Sequence, residues 1–221
     1  MQNLRVHFIC LIGVRAAAAL GLGRRPADAG FAEPDATSLP RYGVLVALHH
    51  EAESVAELVA ALDRLRYPRS LLEGQLLVEA DDTATREALD ALTLPGWLHV
   101  TLVAPMAPRT KPKALNLGLG RTRAALLTVF DAEDRPDPDQ LHRAAAAFAE
   151  GPANLACLQA ALDVTRWRRE DGWLGVQFAL EYAVHFRLLM PAWAALGWPI
   201  PLGGTSNHFR VAALRACGGW D

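Results

Sequence analysis

The chain has 221 residues, 52% of them hydrophobic and 21% charged, with a formal net charge of −2. A chain of this length buries enough surface to fold without disulfides or a structural metal, which excludes a staple-dependent miniprotein. The near-neutral balance supplies no broad basic face for nucleic acid, and the charges are too regularly patterned for a disordered tail. Cys10, Cys157 and Cys217 lie far apart in sequence, which points to a reducing compartment rather than a disulfide framework or a zinc cluster. Among 22 basic residues only Lys111 and Lys113 are lysines, so the segment Thr110-Lys111-Pro112-Lys113 stands out as a candidate for chemistry.

Residues 1–40 are rich in Ala, Gly, Pro and Arg. Their best apolar run, Val6 to Leu22, is interrupted by Arg15 and falls short of the roughly 20 apolar residues a spanning helix needs. A signal peptide would fit Arg5 ahead of Phe8 to Val14, but no convincing small-residue cleavage site follows. This stretch therefore reads as a poorly ordered leader, or a mis-assigned start, ahead of a domain over residues 41–221.

From there β and α signals alternate. Gly43 to Leu48 is a continuous apolar run suited to a buried parallel strand. Ser54 with Glu57 forms a capping box for a helix carrying Val55, Leu58, Val59 and Leu62, which ends at Tyr67-Pro68. Leu76 to Val78 is the next strand, Thr83 caps a helix to about Leu92, and Leu98 to Val103 is a third strand. Ala114, Leu115, Leu117 and Leu119 sit on a helix leading to the strongest strand, Ala125 to Phe130. Asp137-Pro138 is an N-cap with proline at the first helical position, opening a helix to about Ala149, and Leu155 to Ala160 is a further strand. Trp167 to Leu196 reads as one long helical stretch, with Leu174, Phe178, Tyr182, Phe186 and Leu189 spaced for core packing, or alternatively for an amphipathic face near a bilayer. The alternation predicts an α/β fold with an open, mostly parallel sheet and helices on both faces.

In such sheets ligands gather beyond the carboxyl ends of the strands. Charge is concentrated there: His49-His50-Glu51-Ala52-Glu53 after the first strand, Glu79-Ala80-Asp81-Asp82 after the second, and Asp131-Ala132-Glu133-Asp134 after Phe130. Clustered carboxylates repel one another unless a cation or a hydrogen-bonding ligand compensates them. Oxygen-only ligands suit Mg²⁺ or Mn²⁺, with water or phosphate completing the shell. Asp131 and Glu133, two apart on an extended or turning backbone, can both face one pocket while Ala132 packs away; the alternative is a solvated acidic turn.

The ordered set YGVLVALHHEAE, LLVEADD, RTKPKALNLGL, VFDAEDRPDPDQL and PLGGTSNHFR followed by LRACGGWD resembles a family 2 glycosyltransferase of the cellulose-synthase-like group, from about Tyr42 to Asp221. The resemblance implies a GT-A (Rossmann-like) fold, a nucleotide-diphospho-sugar donor with a UDP-sugar as the expected form, a divalent metal, and inversion at the anomeric carbon during transfer to a glycan, polysaccharide or lipid-linked acceptor. It further implies that Asp131-Ala132-Glu133 stands for the family's D-x-D motif, with Glu133 on the metal and Asp131 on the metal and the sugar or ribose. Glu79 and Asp82 stand for an acidic pair near the nucleotide. Lys111 stands for a lysine near the donor diphosphate, and Ala47 to Glu51 for the exit loop at the base, with Glu51 as a donor contact. Gly204, Ser206, Asn207 and His208 look like an acceptor-side element, and Trp220 like an aromatic turn able to stack on a sugar. The segment from Pro201 to Arg210 reads equally as a glycine turn entering a strand, and His208 equally as a donor-side or a structural residue.

Inverting transfer also needs a base for the acceptor hydroxyl and a Lewis acid for the departing diphosphate. The family's base belongs to a T-E-D-type motif placed after the G-G-W-D turn, so no residue up to Asp221 is assigned that role, and the later Q-x-x-R-W motif and transmembrane helices are likewise not in this sequence. The expectation is a donor-binding part of a membrane-associated enzyme acting at the cytoplasmic face, this chain by itself being soluble and cytoplasmic. Two alternatives stand beside it. A non-catalytic nucleotide-sugar-binding module or inactive fragment would lack turnover. A nucleotidyltransferase would need a glycine-rich phosphate loop where His49-His50-Glu51 stands.

Overall fold

The structure is a computed structural model that describes residues 39–164 and 172–221, together with Gly13. The expected leader, its apolar run and the start of the long helical stretch at Trp167 lie outside the described residues, Gly13, Leu39 and Pro40 apart. The described residues divide into two compact units, one holding residues 39–160 and 203–221, the other including residues 161–164 and 172–202.

The first unit is a six-stranded sheet in the order β3-β2-β1-β4-β6-β5. Its strands are β1 (Tyr42–Leu48), β2 (Leu72–Glu79), β3 (Leu98–Val103), β4 (Leu126–Phe130), β5 (Cys157–Gln159) and β6 (Asn207–Arg210). The first four are parallel, whereas β6 runs antiparallel to both β4 and β5. Its helices are α1 (Val55–Asp63), α2 (Thr83–Asp90), α3 (Lys111–Arg121), α4 (Gln140–Glu150) and, after β6, α7 (Val211–Ala216).

The unbroken apolar run of β1 is explained by its central place, because both of its faces are covered. Val44, Val46 and Leu48 point into a core shared with Leu58 and Leu62 of α1, Leu89 of α2, and Leu141 and Phe148 of α4. Leu45 points the other way, joining Leu77, Leu127 and Val129 beneath Ala114, Leu115 and Leu119 of α3 and Leu214 of α7. Helices thus cover both faces, as the alternation predicts. Each fully buried leucine or valine removed from water contributes about 1.5–3 kcal/mol, so these two layers are the main stabilising term.

Local details differ from the sequence reading where side chains found better partners. Ser54 makes no capping bond, and Glu57 pairs across the chain with Arg135 at 2.6 Å. The cap of α2 is Asp82 rather than Thr83, accepting from Thr85 N at 3.2 Å. Helix α4 begins at Gln140, and Asp137 instead accepts the Asp139 N–H at 2.8 Å in the turn ahead of it. In the second unit, α5 (Gly172–Val184) is joined through a π-helical turn over His185–Leu189 to α6 (Met190–Ala195). Pro191, at the head of α6, lacks the N–H that an unbroken α-helix would use. The expected core packing of this stretch holds only in part. Phe186 and Leu189 are buried, but α5 buries none of its residues, and Leu174 and Phe178 are exposed. Among the described residues, no helix is long and apolar enough to cross a membrane.

His208 occupies the middle of β6 with only 1% of its surface exposed. Its Nδ1 lies 2.6 Å from the Tyr42 hydroxyl, its Nε2 lies 3.1 Å from the Gln140 amide, and Tyr42 in turn packs edge-on against Tyr67. Burial lowers its pKa from the usual 6.5 to about 4, so the ring is a neutral bridge between β1, β6 and the start of α4.

Two outcomes follow from this packing. Between pH 7 and pH 5 the unfolded chain takes up a proton at this histidine that the folded chain refuses, so stability falls by about 2 kcal/mol from this group. Urea unfolding at the two pH values is expected to show this loss, with a shallower dependence in His208→Leu; an equal slope in both proteins contradicts it. Asp82→Ala removes the cap of α2 and the acceptor for the His50 N–H, and is expected to lower stability by about 1–2 kcal/mol, read from the urea midpoint at constant slope.

Candidate donor-binding site

The strand order places the reversal between β1 and β4, since β2 and β3 lie on one side of β1 and β4 on the other. At such a switch point the loops leaving neighbouring strands part and open a crevice at their carboxyl ends. Beside it, at the carboxyl ends of β1, β2 and β3, lies a cavity of about 250 Å³ walled by Ala47 and Leu48 of β1, His49 just after it, Leu77 and Glu79 of β2, Val103 of β3, and Thr110, Lys111 and Ala114 at the start of α3. Its apolar walls with a few polar groups match what a flat heterocycle needs.

Glu79 is the acidic group of that wall. It is 6% exposed, and Lys113 Nζ lies 3.0 Å from Oε1. Its other oxygen, Oε2, is buried without a hydrogen-bond partner. A buried carboxylate oxygen left in this way is costly unless a ligand N–H or O–H completes it. Lys113 itself is fully engaged, donating also to the carbonyls of Ala104 and Met106, both at 2.8 Å. Arg109, which the sequence reading did not single out, lines the same cavity and donates to Asp81 at 2.7 Å. That bond holds the Asp81 carboxyl below its ordinary range. Three cations, Arg109, Lys111 and Lys113, thus gather around the N-terminal end of α3, where the helix dipole also favours an anion.

Beyond the end of β4 the antiparallel course of β6 decides the geometry. Val129 pairs with Asn207, so the residues preceding β6 lie beside those following β4. Ser206 N donates to Val129 O at 2.8 Å, and Ser206 O accepts from Ala160 N at 3.0 Å. Ser206 takes a left-handed φ of 54°, uncommon for a residue with a side chain and held here by those two bonds. Lys111 Nζ donates to the Asp131 carboxylate and, at 2.7 Å, to the Gly204 carbonyl. Three segments distant in sequence, RTKPK, DAED and GGTS, therefore meet at one point.

Asp134 makes this junction rigid. It accepts from Asp131 N at 2.7 Å and from the Thr205 hydroxyl, tying the turn after β4 to the loop before β6. Burial raises its pKa, the Asp131 and Glu133 carboxylates raise it further, and the two hydrogen bonds oppose the shift. Asp134 thus faces inward and leaves Asp131 and Glu133 as the outward carboxylates of the turn, Glu133 being exposed. Among the described residues no group of three or more His, Cys, Asp or Glu side chains converges on a metal position. Two carboxylate oxygen donors with the remaining positions open to diphosphate oxygens and water fit a hard divalent cation.

The other expected contacts divide clearly. Gly204 is at the junction. Asp82 is 5% exposed with its oxygens engaged by the His50 and Thr85 N–H groups, at 2.7 and 3.2 Å, so it shapes the β1 exit loop and is not open to a nucleotide. Burial alone would raise its pKa, but these N–H donors prevail and hold it below the ordinary value. Glu51 is not in the cavity wall; its N–H donates to Thr85 Oγ1 at 2.9 Å. Ser206, Asn207 and His208 are 5%, 6% and 1% exposed, so none presents an open side chain for a sugar. Trp220 packs edge-on against Phe209, and its backbone N and O are held by the Asn116 side chain at 2.9 and 2.6 Å. The turn before it needs glycine. Gly219 has φ of 88°, and a Cβ there would lie 2.3 Å from Asn116 Oδ1.

Comparison with known proteins bears on the family and the fold. The chain is 27% identical over 186 residues to a beta-monoglucosyldiacylglycerol synthase of Trichormus variabilis, covering 83% of this chain and 38% of that protein. It is 24% identical over 199 residues to glucomannan 4-beta-mannosyltransferase 7 of Arabidopsis thaliana, covering 86% of this chain and 35% of that protein. The chain therefore spans little more than a third of the length of these relatives. In fold it resembles the mannosyltransferase PcManGT from Pyrobaculum calidifontis, solved with GDP-Man and Mn²⁺, with a TM-score of 0.67 and 24% identity, covering 98% of this chain and 56% of that one. It also resembles S. aureus TarS, with a TM-score of 0.55 and 14% identity, covering 81% and 50%. The profile described as "Glycosyltransferase like family 2" matches residues 40–221, and the chain belongs to this family.

Proposed function

We propose that the sheet unit binds a nucleotide-diphospho-sugar together with a divalent cation, Mg²⁺ or Mn²⁺, as the donor half of an inverting glycosyltransferase acting on a glycan or lipid-linked acceptor. One observation carries this reading: Lys111, Asp131 and Gly204 meet beside the Glu79-walled cavity at the carboxyl ends of β1, β2 and β4. The base lies between the apolar walls, with Glu79 Oε2 accepting from a ring N–H. The diphosphate lies at the start of α3, where Arg109 and Lys111 offset its charge. Asp131 and Glu133 hold the cation, which when bound offsets the charge that develops on the leaving diphosphate. The names of the relatives support a hexosyl transfer, and their acceptors, glucomannan and a diacylglycerol lipid, support the glycan or lipid-linked class. A UDP-sugar is the donor expected from the sequence, and the GDP-Man held by PcManGT makes guanine the base to compare.

Calorimetric titration of the chain with UDP and with GDP, each with Mn²⁺, tests the donor site. Binding of at least one is expected, and the double variant Asp131→Asn, Glu133→Gln is expected to weaken it by a factor of about 100 or more, as loss of two charged ligands implies. Unchanged affinity in that variant sinks the reading.

Glu79→Gln separates the base from the phosphates. It is expected to weaken the nucleotide about tenfold, the scale of one hydrogen bond to a charged group, while leaving pyrophosphate affinity unaltered. An equal loss for both ligands would show that Glu79 does not read the base.

A further inference from the structure

Asp131 is the carboxylate on which the proposed cation site depends, and its counter-charge is already present. The Lys111 ammonium lies on it and on the Gly204 carbonyl, with both side chains about one-third exposed, 33% and 28%. The neighbouring lysine has no such freedom, because Lys113 is tied to Glu79, Ala104 and Met106. Of the two lysines at the head of α3, one is fixed scaffolding and the other holds an outward carboxylate of the site.

We propose that Lys111 is a built-in competitor for the divalent cation, so that metal and nucleotide load as a pair and not one after the other. This rests on the donor-site reading above. With the site empty of nucleotide, the ammonium neutralises Asp131, and a divalent cation entering alone meets both a compensated carboxylate and a like charge beside it. A diphosphate gives Lys111 a different anion. The ammonium moves from Asp131 and Gly204 to phosphate oxygen, which uncovers Asp131 for the cation and releases the loop at Gly204 in the same movement. A short-reach lysine suits this exchange, since its ammonium is a point charge on a flexible stem and not a planar fork that needs one geometry. The coupling is reciprocal: whatever the nucleotide adds to metal affinity, the metal adds to nucleotide affinity.

The test is a Mn²⁺ titration of the full chain, with free Mn²⁺ read by electron paramagnetic resonance, alone and in the presence of saturating UDP or GDP. In Lys111→Met, Mn²⁺ without nucleotide is expected to bind roughly five- to tenfold more tightly than in the unaltered chain, while the nucleotide with Mn²⁺ binds roughly five- to tenfold more weakly. Lys111→Arg keeps the charge and is expected to keep the weak binding of Mn²⁺ alone. An unchanged or weaker affinity for Mn²⁺ alone in a Lys111→Met chain with unaltered circular dichroism and urea midpoint overturns the proposal. So does equal tightening in both variants, because charge would then not be the cause. If the unaltered chain binds neither nucleotide with Mn²⁺, the donor-site reading fails and takes this inference with it. If it binds them normally and only the Lys111→Met change in Mn²⁺ affinity is missing, this inference alone fails.

Discussion

The antiparallel docking of β6 onto β4 is the constraint on which the site depends. A fifth parallel strand beside β4 would have carried its leading loop to the opposite edge of the sheet. Running the other way, β6 brings Gly203–Ser206 to the carboxyl end of β4, where Asp131 emerges. Asp134 and Thr205 lock the two loops together, and Lys111 closes the triangle from the start of α3. The left-handed Ser206 has its backbone N–H and carbonyl fixed by β4 and the residue after β5, so its local cost is offset by the pairing on either side.

The site is built by division of labour among similar residues. Of the acids at the strand ends, Asp82 and Asp134 face inward and hold the β1 exit loop and the β4 turn in place, whereas Glu79, Asp131 and Glu133 are the acids to which the proposed function gives ligands. Of the two lysines, Lys113 holds Glu79, Ala104 and Met106, and Lys111 holds Asp131 and Gly204. Burial makes the difference: a carboxylate surrounded by backbone N–H groups has spent its acceptor capacity. Glu79 is the exception, buried yet with one oxygen unpartnered.

Much of this fold was legible in the sequence because strands buried on both faces leave a strong trace. The runs at Gly43 to Leu48 and Ala125 to Phe130 suit interior strands of a parallel sheet, and their order with the intervening helices pointed to the α/β class. The carboxylates behind them marked the carboxyl edge of the sheet as the place of the candidate site. Capping was less legible. Ser54 and Glu57 satisfy the pattern of a capping box, but Glu57 meets Arg135, 78 residues away in sequence, and a long-range ion pair leaves no local mark. The same holds for Arg109, whose place in the cavity wall depends on the loop between β3 and α3. His208 and Asn207 read either as polar groups for a sugar or as part of a strand behind a glycine turn, and only the pairing of β6 between β4 and β5 decided for the strand.

By itself the sequence determined the layers, the strand-end edge where chemistry gathers, and the residue types present there, because hydrophobic periodicity and composition act locally along the chain. Only the tertiary structure decided which of those residues are engaged in holding the fold. Whether a carboxylate is a cap, a staple or a ligand depends on which N–H, hydroxyl or ammonium groups lie within about 3 Å of it, and those partners come from segments up to 78 residues away, as Arg135 does for Glu57.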